Sequence, residues 1–329
     1  ARTKLIAGLK INITNKPQDG RFTIKLSTGD VDVRVSTMPT VFGESIVMRV
    51  LAQKKQGISF DDIGLAGEAY ERLKQEIERP NGMIIATGPT GSGKTTTLYA
   101  IMHLLNKPGV KIITLEDPVE YRMEGINQSQ VDEARGYTFV KGLRSILRQD
   151  PDIAMVGEIR DLETAEISIQ AALTGHLMLS TLHTNSAAAA IPRFLSMGTK
   201  PFLLAPSLNS VIGQRLVRLL CQACKEEEKL TPVLQTRLDK AVQAMSEKTK
   251  KEFASQSKVF YKGGGCEECH GIGYKGRTGI YEILIVNENI EKLNKLPARK
   301  ISTPKEPDPY YIDDLGPIPN RPSRSESEG

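Results

Sequence analysis

The sequence has 329 residues, of which 39% are apolar and 25% charged, with a formal net charge of +5. These values are ordinary for a globular protein of about two domains. No block of lysine or arginine runs beyond a few residues, so charge gives no reason to predict nucleic-acid binding. No apolar stretch reaches the roughly 18 to 20 residues of a membrane span, and the N-terminus lacks the pattern of a signal peptide. We therefore expect a cytoplasmic protein without a transmembrane segment.

Residues 1–52 are predicted to form a partial N-terminal α/β domain. The stretch Arg21–Ser36 alternates apolar and polar residues in the manner of strands, and Gly29 with Asp30 indicates a hairpin turn. The polar composition of residues 53–62 predicts a linker to a second domain.

Residues 63–220 are predicted to form the main α/β core. After a helix predicted over Glu68–Arg79, short apolar strands alternate with helical segments. The strands read MIIATG, IITLED, DIAMVGEI and HLMLSTLH. Such alternation is typical of a mostly parallel sheet with helices on both faces.

The segment Gly88–Thr95 reads GPTGSGKT, which fits the phosphate-loop pattern GxxxxGK[ST] between an apolar strand and a helix. Its glycines let backbone amides surround a phosphate, and the helix N-terminus adds partial positive charge. Lys94 would bridge the β- and γ-phosphates of ATP, and Thr95 would hold Mg²⁺. The core is therefore predicted to be a RecA-like P-loop NTPase. The predicted nucleotide-binding residues are Gly88, Pro89, Thr90, Gly91, Ser92, Gly93, Lys94, Thr95 and Thr96.

Three further blocks follow the phosphate loop, each with polar groups at a predicted strand end. They are ITLEDPVEY (Ile113–Tyr121), LRQDPDIAMVGEIRDLETA (Leu147–Ala165) and TGHLMLSTLHTNSA (Thr174–Ala187). With the phosphate loop, their order and content resemble the secretion ATPase superfamily of type II secretion and type IV pilus motors, over residues 5–293. The resemblance implies an ATP-hydrolysing ring of six identical subunits. Such a ring drives an inner-membrane platform protein that feeds pilin or pseudopilin into a filament, and it sits at the membrane through such partners.

Carboxylates stand at two of these strand ends. Strand DIAMV carries Glu158 to its carboxyl end, where ligands bind in open α/β sheets, and Glu158 is predicted to act through Mg²⁺. Pro118 ends the strand of ITLEDPVEY, and the resemblance makes Glu120 the general base that activates water. Glu116 and Asp117 could share or support that work, because sequence alone does not separate three carboxylates so close together.

Histidines and arginines complete the predicted site. His176 and His183 are seven residues apart, which predicts opposite faces of an extended strand. The resemblance makes His183 the γ-phosphate sensor and His176 a supporting residue. It also implies that Arg21 and Arg34 reach the γ-phosphate as charge-stabilising fingers when the two domains close, so that hydrolysis drives domain motion. Both can share one surface only if the hairpin register allows.

One further arginine, Arg49, resembles a recurring family arginine, with a weaker functional case.

All four cysteines lie in two CxxC pairs, within a predicted metal-binding element at 221–269 whose intervening segment should form exposed helix. Two such pairs suit tetrahedral zinc, and four thiolates leave no open position, so the predicted site is structural. The alternatives are a redox dithiol, although no thioredoxin-type context surrounds either pair, and free cysteines of the core. By resemblance, this tetracysteine element favours assembly or export motors over retraction motors. The predicted zinc ligands are Cys221, Cys224, Cys266 and Cys269.

The last part of the chain divides in two. Residues 270–300, including a short apolar strand, are predicted to complete the ATPase domain. Beyond Asn294 the resemblance ends, and residues 301–329 are predicted to be a disordered proline-rich tail. Since family members usually continue with more helices and carry an N-terminal platform-binding domain, the chain resembles a fragment or shortened form.

Two other functions compete with a secretion motor. A conjugation-type or nucleic-acid-translocating ATPase would use the same phosphate loop, although the modest charge and the cysteines oppose it. A nucleotide-binding scaffold would hold an assembly without hydrolysis, although Lys94, Glu120 and Glu158 are all present. The motifs do not separate pilus assembly from type II secretion.

Overall fold

The computed structural model describes residues 1–26, 29–52, 59–245, 247–255 and 259–287. Most of the predicted linker, the end of the predicted ATPase domain and the whole predicted tail lie outside these ranges.

The N-terminal lobe is a three-stranded antiparallel sheet with one short helix, α1 (Arg2–Ile6), which agrees with the predicted α/β domain. Val33 and Val35 of the middle strand are buried against Ala7 on one face of the sheet. The predicted hairpin is present, but Gly29 and Asp30 do not form its turn. They pair with Leu26 and Lys25 and so begin the second strand. The strands, in sheet order, are β1 (Gln18–Leu26), β2 (Gly29–Thr40) and β3 (Gly43–Ala52).

A seven-stranded sheet forms the core, in the order β12-β9-β4-β8-β7-β5-β6. All neighbouring strands are parallel except β12, which runs antiparallel to β9 at one edge. This agrees with the predicted mostly parallel sheet. The strands are β4 (Gly82–Thr87), β5 (Ile112–Glu116), β6 (Asn127–Gln130), β7 (Ile153–Val156), β8 (Leu177–Leu182), β9 (Leu208–Leu220) and β12 (Tyr274–Ile285).

Helices cover both faces of this sheet. Every residue of β4 is buried, and its side chains alternate between two apolar clusters: Met83 and Ile85 belong to one, Ile84 and Ala86 to the other. A fully buried central strand gives the loop that follows it a rigid base. The helices are α2 (Gly67–Ile77), α3 (Lys94–Leu105), α4 (Phe139–Leu147), α5 (Leu162–Leu173), α6 (Ala190–Ser196) and α7 (Pro201–Ser207).

The cysteine-bearing segment leaves the core after β9 and returns at β12. It contains a two-stranded antiparallel sheet and two helices; the first helix has no buried residue, as its polar sequence predicts. These elements are β10 (Lys225–Glu228), α8 (Pro232–Ala244), α9 (Glu247–Ser255) and β11 (Phe260–Gly263). Across the described ranges, no helix combines the length and apolar character needed to cross a bilayer.

Candidate functional site

The phosphate loop (Gly88–Thr95) joins the buried strand β4 to helix α3, as predicted. Gly88 and Gly93 have φ angles of +147° and +89°, in a region that side chains disfavour. A Cβ atom on Gly88 would also lie 2.4 Å from the backbone oxygen of Gln214. Lys94 begins α3, and its Nζ donates hydrogen bonds to the carbonyls of Gly88 (2.9 Å) and Pro89 (3.1 Å).

Glu158 and His183 stand beside this loop, just beyond the carboxyl ends of β7 and β8. His183 Nε2 lies 3.7 Å from Glu158 Oε2, which is close but beyond hydrogen-bond distance. Burial lowers the pKa of Lys94 from its ordinary value, and the Glu158 carboxylate acts in the opposite direction. Burial also lowers the pKa of His183, with the Lys94 charge adding to the effect. Lys94, Glu158 and His183 are therefore close enough to influence one another's charge.

The loop that carries His183 is fastened to the end of β4. The Thr184 backbone N–H donates to the Thr87 hydroxyl over 2.9 Å, and the two hydroxyls lie 2.7 Å apart. Thr87 is the residue before the phosphate loop. His183 and the phosphate loop therefore share a common anchor.

Burial separates the acidic residues of ITLEDPVEY. Glu116 is 2% exposed and accepts hydrogen bonds from Thr114 (2.6 Å) and from the Tyr99 hydroxyl. Burial raises the pKa of Glu116, and these hydrogen bonds oppose the rise. The Glu120 side chain, in contrast, is 40% exposed. Glu120 is thus accessible to water and ligands, whereas Glu116 is committed to a buried network.

Arg21, Arg34 and Arg49 are directly opposite one another on β1, β2 and β3. The hairpin register therefore brings them onto one face of the N-terminal sheet, and we call them the arginine row. Arg34 Nη2 donates to the backbone oxygen of Val119 (3.0 Å) and lies 3.3 Å from Glu120 Oε2. The N-terminal lobe thus contacts the loop of the predicted base, and among the described residues Arg34 is the member of the row that forms this contact.

His176 does not join the site, and the argument from strand faces is wrong for it. Strand β8 covers only Leu177–Leu182, so the two histidines flank it at opposite ends. A six-residue strand spans roughly 20 Å. His176 Nδ1 instead lies 3.2 Å from the backbone oxygen of Ala171.

The sequence alone missed two residues of the site. Arg160 Nη2 lies 2.5 Å from Glu158 Oε1. Gln214, 4% exposed, donates from Nε2 to the Ser92 oxygen of the phosphate loop over 2.8 Å. Composition did not single out Gln214, because strand β9 (LNSVIGQRLVRLL) also contains Asn209, Ser210, Arg215 and Arg218. Arg160 had no signal beyond its position two residues after Glu158.

The four cysteines form a compact cluster with free thiols. Sγ–Sγ distances are 3.8 Å for Cys221–Cys266 and 3.7 Å for both Cys224–Cys269 and Cys266–Cys269, and all four sulfurs lie within 4.8 Å of one another. A ZnS₄ tetrahedron with Zn–S bonds near 2.3 Å has edges of roughly 3.8 Å. The backbone N–H of Cys266 lowers the pKa of the Cys269 thiol to about 6. The cluster fits a tetrahedral metal ion.

Similar proteins include secretion and pilus ATPases. The chain is 46% identical over 293 residues to the type II secretion system ATPase E of Vibrio cholerae, covering 89% of this chain and 56% of that protein. It is 47% identical over 287 residues to the type IV pilus assembly ATPase PilB of Thermus thermophilus, covering 87% of this chain and 31% of that protein. The chain therefore spans about half, or less, of the length of these relatives.

The fold also matches a solved structure. The pilus retraction motor PilT with bound ADP superimposes with a TM-score of 0.60 at 28% identity, over 85% of this chain and 66% of that one. The family model described as "Type II/IV secretion system protein" matches residues 1–305. The chain belongs to this family of secretion-system proteins.

Proposed function

We propose that this chain is the ATP-hydrolysing motor core of a type II secretion or type IV pilus assembly machine. The observation that carries the proposal is the convergence of the Lys94 loop, Glu158 and His183 at one edge of the sheet, with Arg34 of the other lobe on the Glu120 loop. Relatives named as a secretion ATPase and a pilus assembly ATPase, each close to half identical to the chain, support the same function.

In this proposal the phosphate loop holds the triphosphate of ATP. Lys94 would exchange its two carbonyl contacts for the β- and γ-phosphates. Mg²⁺ would supply charge neutralisation at these phosphates, held by the Thr95 hydroxyl and, through water, by Glu158. His183 would contact the γ-phosphate as a neutral imidazole, since burial lowers its pKa.

Glu120 would accept the proton of the attacking water. Arg34 now lies against Glu120, and its guanidinium would transfer to the γ-phosphate when ATP binds, freeing the carboxylate. Arg21 would join Arg34 as a second finger from the same face. Binding and loss of the γ-phosphate would then close and open the two lobes.

The motor would work as a homo-hexamer in the cytoplasm, against an inner-membrane platform protein. A ring requires a head-to-tail interface that closes on itself. The cysteine cluster would hold a structural Zn²⁺, because four sulfurs at tetrahedral spacing leave no free coordination position. We propose no nucleic-acid partner.

Arg34→Ala should lower kcat for ATP by about thirtyfold, because it removes one charged hydrogen bond, worth about 2 kcal/mol, from the transition state. The Arg34 side chain is only 24% exposed and is bonded to the Val119 oxygen, so the unfolding temperature is measured as well, to separate lost catalysis from lost stability. The check is steady-state ATP turnover at saturating Mg²⁺-ATP. Lys25→Ala on the neighbouring strand β1 is a control that also removes one positive charge, and it should keep wild-type kcat. An Arg34→Ala variant as fast as wild type would remove the finger role.

The proposal as a whole is tested by phosphate release from ATP by wild type and Glu158→Gln. Wild type should turn over, and Glu158→Gln should be slower by about a hundredfold, because the amide keeps the shape but loses the charge that acts on Mg²⁺. Equal background rates for the two proteins would instead indicate a scaffold that binds nucleotide without hydrolysis. Stimulation of turnover by DNA, falling with added salt, would favour a nucleic-acid translocase.

A further inference from the structure

We propose that Tyr99 and Gln128 are positioning residues for ATP hydrolysis, which hold the acidic loop (residues 117–123) so that Glu120 faces the reacting water. This inference rests on the proposed function. It comes from a buried hydrogen-bond network that joins the phosphate-loop helix to the acidic loop.

The Tyr99 hydroxyl is the centre of this network. Tyr99 is 1% exposed and donates its single proton to Glu116. Its lone pairs are then free to accept, and the Glu120 N–H and Gln128 Nε2 each lie 3.4 Å away. Because the proton is committed to Glu116, the hydroxyl is oriented as an acceptor for the backbone of Glu120.

Glu116 is well suited to fix that orientation. Its two carboxylate oxygens accept from three donors: Tyr99, Thr114 at 2.6 Å and Gln128 at 3.3 Å. These hydrogen bonds favour the charged form and oppose the rise in pKa that burial causes at Glu116. The Tyr99 proton therefore has its acceptor in the Glu116 carboxylate.

Gln128, on strand β6, holds the acidic loop at two further backbone positions. Its Nε2 donates to the Tyr121 oxygen over 3.1 Å, and its Oε1 accepts from the Met123 N–H over 2.7 Å. The loop is thus fastened at residues 120, 121 and 123, and the only side chain of these three that bears a charge is that of Glu120.

Helix α3 connects this network to the phosphates. Lys94 begins α3, and Tyr99 lies on the same helix, so the group that binds phosphate and the group that holds the base loop belong to one rigid element. A misplacement of about 1 Å in a reacting group can cost about a hundredfold in rate. Loss of the Tyr99 hydroxyl should therefore impair the chemical step more than ATP binding.

The experiment compares Tyr99→Phe with wild type in steady-state ATP hydrolysis. Tyr99→Phe should lower kcat by about tenfold and leave KM for ATP within about twofold. Because an unfolded fraction would also lower apparent kcat at constant KM, kcat is expressed per nucleotide-binding site, counted by titration with a tight-binding ATP analogue. Tyr137→Phe is the matched control, because it also removes a tyrosine hydroxyl bonded to β6, at Ser129 (2.9 Å), without contacting the acidic loop. Wild-type kcat in folded Tyr99→Phe would overturn the inference.

A second variant and a second measurement keep the test decisive. Gln128→Leu leaves the Tyr99–Glu116 bond in place and should also lower kcat by about tenfold at constant KM. Hydrogen exchange of the amides of residues 117–123, followed by mass spectrometry, should be faster in both variants than in wild type. Unchanged hydrogen exchange in both variants would overturn the inference, whether or not the wild type hydrolyses ATP. If the wild type showed no ATP turnover while exchange was faster in both variants, only the proposed ATPase function would be refuted.

Discussion

Lys94→Ala is expected to reduce ATP turnover by about a thousandfold, the largest kinetic effect of any single substitution proposed for this chain. Lys94 is 8% exposed and its amine already lies within the curve of the phosphate loop, so alanine removes the only charged side chain of that loop, Gly88–Thr95. Nucleotide affinity should fall with turnover, because the same amine contacts ground state and transition state.

The measurements are phosphate release and equilibrium binding of a fluorescent ATP analogue. Lys107→Ala, an exposed lysine just beyond the other end of α3, is the control that removes the same charge from the same part of the chain. It should behave as wild type. If Lys94→Ala hydrolysed ATP within a factor of about three of wild type, the phosphate loop would not be the site of hydrolysis.

Cys269→Ser is expected to abolish zinc binding at the proposed site and to destabilise the cysteine-bearing segment by on the order of 5 kcal/mol, because structural zinc contributes directly to folding. Cys269 has the richest set of contacts in the cluster, since its Sγ also accepts from the N–H groups of Cys266 (3.1 Å) and Gly273 (3.2 Å). The strands β10 and β11 should be the first to unfold, because they lie beside the cluster and form a separate two-stranded sheet.

Metal analysis should give about one zinc per wild-type chain and well under that for Cys269→Ser. Limited proteolysis should cleave the variant between β9 and β12 while the core stays intact. The control is Glu267→Gln, which alters an exposed residue between Cys266 and Cys269 and should retain zinc. Wild-type protein with intact thiols and well under one zinc would exclude the metal site.

The parts of the fold that depend on neighbouring residues could be predicted from the sequence. The phosphate loop is one continuous segment between a strand and a helix, and both appear where the pattern places them. Likewise, apolar runs predicted four of the parallel core strands, β4, β5, β7 and β8, whereas β6 (NQSQ) and β9 were not predicted. The two CxxC pairs predicted a cluster whose sulfurs meet across 41 intervening residues.

The parts that depend on distant residues could not be predicted. Nothing local to Glu116 indicates that it is buried under Tyr99, and therefore that Glu120 is the exposed acid of its loop. Arg34 and Glu120 are 86 residues apart in sequence, and their contact depends on how two lobes pack. His176 failed for another reason: the length of β8 decided its position, and strand ends are poorly defined by composition.

The arginine row also bears on the conformational stability of the N-terminal lobe. Like charges directly opposite one another on neighbouring strands destabilise a sheet, and guanidinium groups stay protonated throughout the physiological pH range. A polyanion bound along Arg21, Arg34 and Arg49 would screen that repulsion. Anion binding and conformational stability of this small sheet are then linked by mass action, so the lobe should resist denaturation better as the concentration of a bound anion rises.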